Sequence, residues 1–273
     1  MLWSKAAGAG GTAGGTAGGG WNISTATLLQ SVSVPSVISG PSSLFFKPDG
    51  LAIYLCDTDF LKVVEFSLST PWDISSLTSV YSLDVSNKEG NLRQVFFKPD
   101  GSVMYITGSA SDSVHSYTLS TAWDISTALY WKPYSLSAQN SFPNGIFFKP
   151  DGTKMYTVNY LAHDMDEYTL STAWDVGSAG FVRTFSLSGE GLYPRGLFFK
   201  PDGLVMYSMD TDGDVNQYTL STAWDISTAS FLQDFSVSGE ETFPNGIFFK
   251  PDGTKMYVVG TGSDNINEYD VSA

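Results

Sequence analysis

Hydrophobic and polar positions alternate along this chain in short bursts. Between residues 143 and 188, Gly145-Ile146-Phe147-Phe148 is an apolar run that stops at Pro150-Asp151-Gly152, and Lys154-Met155-Tyr156-Thr157-Val158 returns from it. Proline presets φ for a turn and glycine supplies the positive φ that a tight hairpin needs. Glu167-Tyr168-Thr169-Leu170-Ser171 and Phe181-Val182-Arg183-Thr184-Phe185-Ser186-Leu187 then alternate polar with apolar, the signature of half-buried strands. No segment sustains a 3.6-residue apolar period, so helix is expected to be nearly absent. The pattern predicts four short antiparallel strands within about fifty residues.

The same pattern recurs. Phe-Phe-Lys-Pro-Asp-Gly occurs five times, with Asp49, Asp100, Asp151, Asp202 and Asp252 spaced 51, 51, 51 and 50 apart. A Trp-Asp/Asn-Ile/Val signature follows the same intervals at Trp21, Trp72, Trp123, Trp174 and Trp224. Tyr/Phe-x-Leu-Ser-Thr lies at Phe66, Tyr117, Tyr168 and Tyr218, with a degenerate copy at Tyr269. The short repeat loses its residue between Tyr207 and Tyr218, where loop length is cheap to change. Four strands per repeat of about fifty residues fit a propeller blade, and a single blade cannot bury both of its faces. The expected fold is therefore all-β, a five-bladed β-propeller over residues 21–273. The strand at about Ala26–Val34 should complete the blade whose other three strands come from 244–271, joining the two ends and removing an open seam. Residues 1–20 form a separate Gly-rich arm in this reading.

Pro-x-Gly-Ile/Leu-Phe-Phe-Lys-Pro-Asp-Gly-x-x-Met-Tyr resembles the Pro-Asp-Gly hairpin of YVTN-type and lactonase-like propeller repeats. The near-identical repeats also look like those of uncharacterised bacteriophage and bacterial propeller proteins. WD40 repeats are set aside, because the Gly-His that precedes their first strand is absent and the Trp-Asp pair lies in a loop.

Charge narrows the partners. Lys and Arg number 14 against 28 Asp and Glu, a formal net charge of −14, and such a field repels phosphate backbones. Nucleic acid is not expected as a partner, and no apolar run has the length of a membrane span. The single cysteine, Cys56, excludes an intrachain disulfide and reads as a buried inert thiol. No cofactor or metal is expected. Asp210-Thr211-Asp212-Gly213-Asp214 alternates carboxylates, but its glycine and closing position do not suit an EF-hand, and it reads as a hairpin loop. His115 and His163 have no clustered partner in sequence and read as solvated surface. The five Pro-Asp-Gly aspartates are turn residues, and the neighbouring Lys47, Lys98, Lys149, Lys200 and Lys250 should ring the hairpin face. The five motif tryptophans read as core or blade-to-blade packing.

The repeats differ just ahead of each Phe-Phe pair, where the chain should open onto the central channel opposite the hairpins. The aligned residues are Ser42, Arg93, Asn144, Arg195 and Asn245, with Phe142, Tyr193 and Phe243 before them in three blades. Two arginines and two asparagines around a mouth with aromatic walls suit a carbohydrate or a carboxylate. Leu2, Trp3 and Lys5, ahead of a linker with eight glycines at 8–20, read as a docking peptide. These features, with the resemblance to phage propellers, lead to the expectation of a non-enzymatic structural or binding module. It would be a virion tail or fibre component, held to other virion proteins by the arm and contacting host surface glycan. A virion or extracellular-facing placement without a Sec signal is expected, or the cytoplasm for a cellular protein. A free lectin-like module with several equivalent sites is the alternative. A lactonase- or glycosidase-like enzyme is the third reading, for which the sequence names no catalytic acid.

Overall fold

The computed structural model describes residues 20–273, and they form a closed five-bladed β-propeller. The first strand, β1 (Thr27–Ser33), belongs to the last blade. Blade I is β2 (Pro41–Phe46), β3 (Ala52–Asp57), β4 (Lys62–Leu68) and β5 (Leu77–Asp84). Blade II is β6 (Leu92–Phe97), β7 (Val103–Gly108), β8 (Ser113–Leu119) and β9 (Ala128–Ser135). Blade III is β10 (Pro143–Phe148), β11 (Lys154–Asn159), β12 (Asp164–Leu170) and β13 (Ala179–Ser186). Blade IV is β14 (Gly196–Phe199), β15 (Val205–Met209), β16 (Asp214–Leu220) and β17 (Ala229–Ser236). Blade V is β18 (Pro244–Phe249), β19 (Lys255–Gly260) and β20 (Asn265–Asp270), completed by β1 against β20. The only helical segments among the described residues are five three-residue 3₁₀ turns, one ahead of each outer strand.

Each Trp-Asp/Asn-Ile/Val motif is a lock between chain segments. The Trp amide donates to the carbonyl of the Pro-Asp-Gly glycine at 2.9–3.0 Å, and the Asp or Asn that follows caps the 3₁₀ turn. All five tryptophans sit at φ between 63° and 71°, a left-handed conformation that a bulky residue adopts only under constraint. The constraint is the glycine. A Cβ at Gly50, Gly101, Gly152, Gly203 or Gly253 would come within 2.1–2.4 Å of the facing indole. The carbonyl of each Trp then accepts the hydroxyl of a Tyr in the preceding blade (Tyr54, Tyr105, Tyr156, Tyr207 and Tyr257) at 2.5–3.0 Å. These five bonds run around the whole ring, including the junctions with blade V.

The core lies between blades and along the axis. Phe45, Phe96, Phe147, Phe198 and Phe248 form a closed ring of edge-to-face contacts, with centroids 5.2–5.4 Å apart and planes 68–71° to one another. That geometry matches positive ring edges to negative faces. The five hairpin lysines are each paired to the Asp two residues on, at 2.7–3.0 Å, so the expected ring of lysines is neutralised by local ion pairs. Cys56 is fully buried, and burial pushes its thiol up to about 12.

Candidate functional site: the channel mouth opposite the hairpins

The innermost strands start with a defect. Pairing shifts register between Pro41 and Ser43, Leu92 and Gln94, Pro143 and Ile146, and Pro244 and Gly246. Ser42, Arg93, Asn144 and Asn245 fall within these irregularities, and a bulge re-aims the side chain it carries. In blade IV the strand begins later, at Gly196, and Arg195 is attached by one backbone bond to Met209 at 2.7 Å. The mouth residues are thus displaced from the pleat in every blade.

Their side chains divide into two groups. Ser42 gives its hydroxyl to the Leu92 carbonyl of blade II at 3.3 Å, and it is a blade-to-blade tie. Asn245 donates to the Pro41 carbonyl at 3.3 Å and accepts from Arg195 Nη1. Phe243 is 57% exposed and lies apart from the other aromatic rings. In contrast, the two arginines converge on one aromatic cluster. Arg93 lies over the Phe142 ring at 6.0 Å and Arg195 over the Tyr160 ring at 5.2 Å. Phe142 and Tyr160 are 5.3 Å apart, Tyr160 and Tyr193 are 4.9 Å apart, and His163 meets Tyr193 edge-on at 4.7 Å.

The Arg93 guanidinium has no hydrogen bond or carboxylate partner among the described residues, and the buried Nε atoms of both arginines are unpaired. Burial first, and then the charge of Arg195, pull the Arg93 pKa below the ordinary arginine value. A guanidinium stays cationic at neutral pH even so, which leaves two mutually repelling charges in a half-buried mouth. Asn144, nearly buried, has no side-chain hydrogen bond among the described residues either.

Among the described residues no carboxylate is ion-paired to Arg93 or Arg195, and the buried acids of the loops ahead of the inner strands and at the second-strand ends accept from backbone amides. Glu89 Oε1 accepts from Asn91 and Ala110 amides at 2.8 and 2.9 Å, and Glu241 Oε1 accepts from Phe243 and Gly262 at 2.9 and 2.7 Å. Asp57 accepts four amides, from Ser39, Gly40, Asp59 and Phe60. Asp210 binds the Asp212 and Asp214 amides, so Asp210–Asp214 is the hairpin loop expected, and burial raises its pKa. Among the described residues, no three His, Cys, Asp or Glu side chains gather to hold a metal ion.

The structure corrects the reading of both histidines as solvated surface. His115 is 6% exposed, with Nε2 2.9 Å from Ser111 Oγ, which itself donates to Glu89 at 2.5 Å. Burial lowers its pKa. His163 is half-buried, with an unpaired buried Nε2. Tyr160 and His163 were missed as mouth residues. The available signal was alignment, since Tyr160 stands where the other blades have Thr58, Ser109, Thr211 and Thr261. Leu2, Trp3 and Lys5 lie outside the described residues. A cavity of about 40 Å³ lies between the phenylalanine ring and the hairpin prolines Pro48, Pro99, Pro150 and Pro251. Its polar lining residue, Gln94, is already bonded to the Ile146 amide at 2.9 Å, so this apolar space offers no acid, base or charge.

Fold and mouth together define a small five-bladed propeller with two arginines and an aromatic cluster at one channel mouth. Residues 38–223, from the start of blade I into blade IV, match the family described as Lactonase, 7-bladed beta-propeller, and the chain belongs to that family. The family description names seven blades, and this chain closes with five. Solved structures share the architecture. A Lactobacillus plantarum protein is 14% identical with a TM-score of 0.54, covering 84% of this chain and 67% of its own. A functionally unknown Desulfotomaculum acetoxidans protein is 11% identical with a TM-score of 0.51, covering 84% and 72%. A Bacteroides uniformis protein provisionally assigned as a 6-phosphogluconolactonase is 13% identical with a TM-score of 0.51, covering 84% and 66%. At these identities the likeness is one of fold. No curated protein matches the chain.

Family membership corrects the expectation of a non-enzymatic module. That expectation rested on the arm, the resemblance to phage propellers and the lack of a catalytic acid in the sequence, and a pair of facing acids is what glycoside cleavage needs. Opening a lactone is acyl chemistry, for which donors aimed at the developing oxyanion are the larger requirement. Neither the family nor these structures supports the expected virion placement. No helix among the described residues is long and apolar enough to cross a membrane.

Proposed function

We propose that the channel mouth binds a sugar lactone and the sugar acid formed from it, with Arg93 and Arg195 as the anion-recognising pair. The observation that carries this reading is the Arg93 guanidinium, half-buried against Phe142 and lacking any carboxylate partner among the described residues. Charged groups held out of water call for a counter-charge. When water adds to a lactone carbonyl, the oxygen becomes anionic, and guanidinium N–H donors stabilise it. Ring opening leaves a carboxylate that the same donors hold. Family membership supports the choice of lactone over other neutral esters.

The test is D-glucono-δ-lactone hydrolysis, followed by acid release, alongside gluconate binding by calorimetry. Arg93→Ala and Arg195→Ala should each weaken gluconate binding about tenfold, the size of one charge-assisted hydrogen bond. Enzyme-dependent acid release should fall with them. Unchanged binding in the double variant would defeat the proposal. A second reading, a glycan with an acidic sugar residue at the same mouth, is favoured by the exposed rings of Tyr193 and Phe243. It predicts that uronate oligosaccharides bind more tightly than single sugar acids.

A further inference from the structure

The five blades are close copies, so a site used once must lie where the copies disagree. Four departures coincide in the sector between blades III and IV. Tyr160 replaces the Thr or Ser of the other blades, and His163 stands where they have Leu61, Asp112, Gly213 and Asp264. The innermost strand of blade IV is four residues long, against six in the others. Tyr193, just ahead of it, has φ +59°. Left-handed backbone at Trp and at the turn before each third strand recurs around the ring, whereas at Tyr193 it occurs in this blade alone. The aligned Asn91, Phe142 and Phe243 do not share it.

A bulky residue in this conformation is held there by its surroundings at a cost. What the strain secures is the ring. Tyr193 leans on Tyr160 at 4.9 Å, is braced edge-on by His163 at 4.7 Å, and remains 39% exposed. Tyr160 in turn carries the guanidinium of Arg195, and Phe142 that of Arg93. A partly exposed tyrosine ring is thereby fixed at the end of the aromatic ladder whose other members carry the two cations.

We infer that Tyr193 is a specificity-determining residue of the mouth, a platform for the C–H face of a pyranose ring whose carboxylate is held by Arg93 and Arg195. This rests on the anion-binding pair proposed above, in its second reading of an acidic sugar residue, and adds the class of ligand. Cyclic sugar acids are selected over small acyclic carboxylates. A tyrosine face offers area at little conformational cost, and sugar C–H groups are its natural complement. Propionate carries the charge without the ring and gains nothing from the platform.

The experiment uses the full chain and two probes, D-glucuronate and propionate, with Kd from NMR titration. Tyr193→Asn removes the ring while keeping a residue that tolerates positive φ. Its preference for glucuronate over propionate should fall about tenfold relative to the parent, and Tyr193→Phe should restore it. Arg93→Ala should weaken both probes and leave the preference in place. A preference unchanged in Tyr193→Asn, with both probes still lost in Arg93→Ala, would overturn the platform and leave the anion site standing. Binding of both probes unaffected by Arg93→Ala would overturn the anion site itself, and the platform with it.

Discussion

The tightest constraint at the scale of single residues is the pairing of each hairpin glycine with a tryptophan. Gly152 has φ +74°, and an added Cβ would sit 2.4 Å from Trp174 Cδ1. Gly152→Ala therefore suffers twice, from backbone strain and from overpacking, the latter worth about 1–3 kcal/mol alone. Urea denaturation should show a lower midpoint at unchanged slope. Substitution of Thr153, its neighbour, should move the midpoint much less. The glycine was legible in the sequence as a turn residue. That its missing side chain makes room for an indole was not, because the contact joins residues more than twenty positions apart.

Individual residues are tied into elements by buried carboxylates, and the repeats show a reciprocal arrangement. Where the loop ahead of the inner strand supplies Glu89 or Glu241, the end of the second strand carries Gly108 or Gly260. A Cβ at either glycine would come within 2.6–2.7 Å of that Glu Cδ. Where the strand end supplies Asp57 or Asp210, the loop carries Ile38 or Gly191, and a Cβ at Gly191 would run into Asp210. In four junctions one carboxylate satisfies the backbone amides that turn the chain, and in blade III Asn140 and Asn159 accept them instead. Glu89→Ala leaves the Asn91 and Ala110 amides without an acceptor, at about 1–3 kcal/mol for each group left unsatisfied. Thermal denaturation should register the loss, and hydrogen exchange at Ala110 should accelerate.

Strand β12 shows the opposite case, acids without enough partners. Asp164 and Asp166 sit two residues apart on one side of the strand, each with a buried oxygen that has no hydrogen-bond partner. Burial, then the charge of Asp166, raise the Asp164 pKa from 3.8 to about 6. The folded state therefore holds this proton more tightly than the unfolded chain. Its stabilising contribution is complete below about pH 3.8 and is lost as pH rises through about 6. Asp164→Asn should raise the Tm at pH 7–8 and flatten the decline between those values. A Tm profile identical to that of the parent would contradict the assignment.

At the scale of the whole molecule, stability depends on closure. Strand β1 lies 232 or more residues from the partners to which Gln30, Ser31 and Ser33 are bonded on Glu268, Asn267 and Asn265. Trp21 brings a further lock, its carbonyl accepting from Tyr207 and Gln217 of blade IV. A chain truncated to begin at Val34 loses all of these and leaves β20 as an unpaired edge, a template for association. Light scattering should show self-association at concentrations where the full chain stays monodisperse. A truncated chain with unchanged size and Tm would mean that the ring is held by its other interfaces.

The repeat by itself determined the fold. Four spacings of 51, 51, 51 and 50, four alternating strands per period, and one strand at the start of the propeller to complete three at its end admit one economical solution, because strands that bury one face must stack into a ring to bury the other. The mouth was legible only in part. Arg93, Arg195, Phe142 and Tyr193 stood out because the copies differ there, and they do converge. Ser42 and Asn245 differ as well, yet both are held in bonds to neighbouring blades. Tyr160 carried no signal in a single repeat and His163 read as solvated surface, because both lie on a different turn of the repeat and reach the mouth only through packing. Whether a polar side chain is tied to backbone or left to meet a ligand depends on which atoms lie within about 3 Å of it. Periodicity sets which residues share a face, and only the assembled ring sets those distances.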